Sequence, residues 1–166
     1  VRALVVAITF LFFSIVVHAQ PLKVLSAQKI TKLLPSKIPG YYLKGIARSS
    51  EMKIGTLTYS LCERNFASGK KQIRILLFDY IDAPIMYQQA MRNHSNIPPI
   101  ESDSIIYKPV EFAEANGWQS INTKASEAKL VLGIYKRYYL SIEGENVNYE
   151  EVVNIFNQID LKKFPH

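Results

Sequence analysis

The stretch LLFDYIDAP, residues 76–84, sets Asp79 and Asp82 three apart, directly after a run of large apolar side chains. Two carboxylates work as general acid and base only when they converge on one bond, one ionised and one protonated. A divalent cation asks for several oxygens at once. Asp79 shares its strand face with Ile73, Ile75 and Leu77, so it is expected partly buried at the strand end. Asp82 stands where a helix begins, with Pro84 in the first turn, and reads as the cap of that helix. A hydrolase or metal-dependent enzyme would therefore be built on Asp79 with Glu101 or Asp103 of the ESDS stretch. The competing reading gives these residues structural or solvated roles.

Other chemistries find fewer residues. Cys62 needs a neighbouring base to become a thiolate nucleophile, and beyond the leader the histidines are His94, in a loop, and His166, at the end. No G-x-S-x-G elbow occurs, so Cys62 reads as a small buried strand residue. Zinc takes four nitrogen or sulfur ligands structurally and usually three protein ligands catalytically, more than these residues supply. Ser68-Gly69-Lys70-Lys71 lacks the flanking glycine and the strand–loop–helix order of a phosphate loop. No cofactor and no metal are expected. Asn93-His94-Ser95 matches a glycosylation acceptor, relevant only to a eukaryotic secretory route.

Aromatic side chains are what remains. Ten tyrosines and a single tryptophan are many for this length. Tyr and Trp join apolar area to a polar tip, which suits a ligand groove or a partner surface, and equally the solvated face of a sheet. A binding site, for an unknown protein partner or small ligand, is expected where Trp118, Arg137 and the Tyr138-Tyr139 strand meet.

The elements that position these residues follow from pattern. Ser26 caps a short helix reaching Leu34. Strand character runs through 41–48 and 53–64, divided by Ser49-Ser50, and resumes over 72–80 after the Ala67-Ser68-Gly69 turn. In QIRILLFDY, Ile73, Ile75 and Leu77 lie on one face and Leu76, Phe78 and Tyr80 on the other, the mark of a central strand covered on both sides. A helix follows from Asp82, with Ile85, Met86, Ala90 and Met91 as its apolar stripe. Pro109 makes 104–112 an edge strand. Strands 118–123, 128–135 and 138–143 follow, the last two joined as a hairpin around Lys136-Arg137. Asn148 opens the final helix, with Glu151 as its capping-box partner. Helices packed on a mainly antiparallel sheet of about six strands make the class α+β.

The first residues are read as a leader. Arg2, the apolar run from Ala3 to Val17, and small Val17 and Ala19 compose a secretory signal peptide, residues 1–19, cleaved before Gln20. The run is shorter than the roughly 20 residues of a membrane-spanning helix; an uncleaved anchor is the alternative. Residues 20–166 then form a single exported domain, periplasmic or secreted. It has one cysteine and so no internal disulfide. Net charge is +6, but the basic residues are scattered (Lys70, Lys71 and Arg74; Lys136 and Arg137; Lys162 and Lys163). Without a basic block, neither nucleic acid nor a membrane surface is an expected partner.

GWQSI from Gly117, KLVLGIYKRYYLSIEG from Lys129 and NIFNQIDLKKF from Asn154 resemble a group of uncharacterised bacterial secreted proteins. The shared features are a strand ending in Asp, a late Arg-aromatic strand start (Arg137-Tyr138), and a closing Ile159-Asp160-Leu161. The layout is also similar to the PsbP-like fold, which implies an antiparallel sheet between helices. Neither resemblance implies an active site. The sequence thus points to an exported, non-catalytic binding domain, with the acidic enzyme as its alternative.

Overall fold

The structure is a computed structural model that describes residues 22–166. The expected leader and its cleavage point lie outside the described residues. Three helices, α1 (Ala27–Thr31), α2 (Pro84–Ser95) and α3 (Tyr149–Phe156), accompany nine strands. These are β1 (Tyr42–Leu43), β2 (Arg48–Ile54), β3 (Leu57–Ser68), β4 (Lys71–Asp79), β5 (Ile100–Glu101), β6 (Ile105–Phe112), β7 (Ala115–Asn122), β8 (Glu127–Ile134) and β9 (Tyr138–Glu145). All pair antiparallel in one sheet ordered β1-β3-β4-β9-β8-β7-β6-β5, with β2 beside β3. The α+β class is as read from the sequence. Among the described residues, no helix is long and apolar enough to cross a membrane.

Nine strands replace the expected six or so, for local reasons. Ser49 and Ser50 do not divide two strands; both lie inside β2. The break falls instead at Gly55, whose positive φ of 60° makes the two-residue turn joining Ile54 to Leu57. Gly45, also at positive φ, separates β1 from β2. Ala113-Glu114 is a second tight turn, so β7 begins at Ala115 rather than at Trp118. The two-residue β1 and β5 are too short to carry any sequence pattern.

Because side chains alternate along a strand, the register sorts the sheet into two faces. One carries Cys62, Phe66, Ile73, Ile75, Leu77, Leu130, Leu132, Leu140 and Ile142, all buried together with Ile30 of α1 and Val152, Ile155 and Phe156 of α3. The other receives α2 over a smaller cluster of Tyr59, Tyr80 and Ala83. β4 pairs with β3 and β9, the interior position expected from its two-sided pattern.

The caps are mixed in outcome. Ser26 accepts a hydrogen bond from the Lys29 N–H, and Asn148 accepts one from the Glu151 N–H at 2.9 Å. The Glu151 carboxylate does not return to its cap; it accepts from the Tyr41 hydroxyl and from Lys71. Asp82 caps nothing. The residue before α2 is Ala83, without a side-chain cap bond. Pro84 in the first turn removes one donor that would need a partner, and Asp79 Oδ1 accepts from the Ile81 N–H to hold the strand exit.

Candidate functional site

Asp79 is fully buried at the end of β4. Its Oδ1 accepts from Arg137 Nε and its Oδ2 from Arg137 Nη2, each at 2.7 Å, a bidentate pair. The Leu25 N–H adds a donor at 2.8 Å. Arg137 is 3% exposed, and its remaining N–H groups reach the carbonyls of Lys23 and Pro165, both at 3.1 Å. One ion pair therefore ties the segment before α1, the end of β4, the β8–β9 turn and the C-terminal segment. Burial opposes the Arg137 charge, but the Asp79 hydrogen bonds and charge overcome it, and the guanidinium's pKa ends above its ordinary value. Tyr135 and Lys136, in the turn before Arg137, both hold positive φ without being glycine. That costs roughly 1–2 kcal/mol per residue, which the clasp offsets.

The acidic set is not brought together. Glu101 lies on β5, its side chain 73% exposed and 3.6 Å from Lys108. Four strands separate β5 from β4, roughly 24 Å along the sheet at ordinary strand spacing. Asp103 is exposed between β5 and β6. No group of three or more His, Cys, Asp or Glu is placed to hold a metal among the described residues. Cys62 is buried, and burial pushes its thiol pKa up, away from a reactive thiolate.

The aromatic set divides between the faces. Arg137 and Tyr138 belong to the α1/α3 side, where the Tyr138 hydroxyl donates to the Pro165 carbonyl and its ring meets Phe164 edge-on. Trp118 and Tyr139 lie on the α2 side, both half-buried. There they join a band of rings across the sheet. Trp118 stacks on Tyr107, with centroids 5.2 Å apart. The Tyr107 hydroxyl donates to the His94 carbonyl and lies 3.3 Å from His94 Nδ1, while His94 Nε2 is 3.1 Å from the Tyr139 hydroxyl. Tyr139 meets Phe78 edge-on, Phe78 stacks on Tyr80, and Tyr80 packs against Tyr59. Burial, then the nearby Lys129, lowers the His94 pKa. Burial, with Glu143 and Tyr107 nearby, pushes Tyr139 up to about 12. At neutral pH the band is an uncharged, partly dry stripe.

Sequence reasoning missed His94, Tyr107 and Tyr87. His94 is not in a loop, because α2 continues to Ser95. The side of α2 turned to the sheet carries Met86, Tyr87, Ala90, Met91 and His94, while Ile85 is 63% exposed. The i, i+4, i+7 spacing of Tyr87, Met91 and His94 was the available signal. Gly133 decides where the helix lands: a Cβ there would overlap the Tyr87 hydroxyl and lie 3.1 Å from Met91 Cε.

Between α2 and β6–β7 a cleft of about 780 Å³ opens beside the band. Trp118, Tyr87, Met91 and Pro109 form its apolar wall, with Gln88, Asn116, Arg92 and Glu111 around them. Arg92 and Glu111 make no ion pair among the described residues. Such a space holds a small molecule or a short peptide segment, with amides and opposite charges to orient it. Away from α2, the same face carries a ladder of charges: Lys129 and Arg74 flank Glu143, at 2.7 and 3.6 Å, and Arg74 reaches Glu63 at 3.2 Å.

Comparison with protein-family models, with curated proteins and with solved structures returned no match.

Proposed function

We propose that this chain is an exported, non-catalytic domain that binds a small ligand or a short peptide segment in the cleft between α2 and β6–β7. The observation that carries the reading is the cleft itself, walled by Trp118 at one end of the aromatic band. Pockets of this size, mainly apolar with a few polar groups, are ordinary binding sites. Trp118 and Tyr139 of the aromatic set stay in the reading. Arg137 and Tyr138 act through the clasp that holds the fold. The acidic alternative has no geometric support, since every donor around Asp79 is structural and Glu101 stands strands away. Export rests on the leader read in the sequence. The PsbP-like resemblance, like export, rests on the sequence alone.

Trp118 is the single tryptophan, so its emission reports directly on the cleft. Small-molecule and peptide libraries are titrated while that emission is followed. Binders should shift it, and Asn116→Trp, which fills the cleft from an exposed position, should weaken them at least about tenfold in a label-free binding assay, a loss of roughly 1.4 kcal/mol. Binders that ignore the Asn116 change would place the site elsewhere.

A further inference from the structure

The outer edge of β2 is the longest open edge of the sheet. β2 pairs with β3 on one side and has no partner on the other among the described residues. It runs seven residues, RSSEMKI, without proline. The opposite edge is blunted: β5 covers Ile106 and Tyr107 of β6, and Pro109 interrupts what remains. Exposed apolar side chains also gather on the β1–β2 ribbon, namely Tyr42, Leu43, Ile46, Met52 and Ile54, with Ile46 82% exposed.

We propose that β2 pairs antiparallel with β2 of a second copy of this chain, with Met52 on the two-fold axis. The charges on the strand select this occupant and this register. A two-fold normal to the sheet sets the central residue opposite itself. With Met52 central, Glu51 faces Lys53 of the other copy, twice, and Met52 faces Met52. Moving the centre one residue either way sets Glu51 or Lys53 opposite its own copy, a destabilising like-charge pair. Both groups are available. Lys53 makes no ion pair among the described residues, and Glu51 accepts only a long 3.3 Å bond from the Ala27 N–H. Pairing joins two sheets into one continuous sheet and satisfies the backbone groups that β2 exposes.

Sedimentation analysis of the purified protein over a concentration series tests this. The unaltered chain should dimerise. Lys53→Glu alone and Glu51→Lys alone each turn two attractive pairs into two like-charge pairs, and should raise the dissociation constant at least about tenfold. The double variant, Glu51→Lys with Lys53→Glu, restores both pairs and should restore the dimer. Circular dichroism on each variant distinguishes lost pairing from lost fold. A chain that stays monomeric up to about 1 mM, beyond which association is not specific, overturns the proposal and leaves the edge to a strand of a different protein. Single variants that dimerise like the unaltered chain overturn the register and the proposal with it.

Discussion

The two faces of the sheet are built from strands of the same lengths, yet they differ in how completely they are closed. On the α1/α3 face, alternate residues of β3, β4, β8 and β9 are fully buried, and α3 buries Val152, Ile155 and Phe156. On the other face α2 has no fully buried residue, and the sheet changes from aromatic rings beneath it to a solvated ladder of Lys129, Glu143, Arg74 and Glu63 away from it. The closed face uses its polar groups as structure. Asp79 and Arg137 are buried there because each satisfies the other and because backbone groups fill their remaining valences. The open face keeps hydroxyls, an imidazole and a cleft within reach of solvent. A domain stabilised from one side can leave the other free for binding, since the apolar burial that stabilises it does not depend on α2.

Breaking the closed face should have the largest effect. Arg137→Met leaves Asp79 buried without its counter-charge, and should cost about 3–5 kcal/mol in urea unfolding. The double variant Asp79→Leu/Arg137→Met should be less damaging than the single one, because no charge is then left unpaired. If both cost the same, the pair is not the clasp described. On the open face, Gly133→Ala sets a methyl group against Tyr87 and Met91 and should cost about 1–3 kcal/mol. Hydrogen exchange should locate that loss: faster in α2, unchanged in α3. Uniform acceleration would mean that the two faces are one cooperative unit.

The smallest effect sharpens the comparison through pH. The folded chain holds the His94 pKa below its ordinary value of 6.5, so on acidification the unfolded chain takes up that proton first. Stability associated with neutral His94 is complete above about 6.5 and is lost as the pH falls through the lower folded value. The lowered carboxylates Glu63, Glu143 and Glu151 titrate below their ordinary 4.5, so the onset of the histidine step near 6.5 stands apart from theirs. Urea midpoints measured between pH 5 and 8 should show this slope, and His94→Gln should flatten it. A slope that persists in the variant belongs to another group.

Much of the fold was legible in the sequence because it is written in local periodicity. The alternation over 72–80 identified an interior strand, Lys136-Arg137 identified the hairpin between β8 and β9, and Ser26 and Asn148 identified two helix starts. The candidate site was legible only in part. Trp118 and Tyr139 could be singled out by type, but adjacent tyrosines in a strand point to opposite faces, so Tyr138 and Tyr139 were bound to part company. His94 went unread because its surroundings come from β6 and β9, distant in the chain.

Asp79 marks the boundary between the two kinds of information. Pattern alone determined the α+β class, the antiparallel hairpins, the face that Asp79 occupies and the shortage of nucleophiles and metal ligands, since each depends on neighbours a few residues away. Only the tertiary structure decided that Asp79 meets Arg137 rather than Glu101 or Asp103, and that rings from five strands and a helix form one band beside a cleft. Pairing of groups 58 residues apart follows from strand order, and strand order is set by the burial of the whole sheet rather than by any one segment of it.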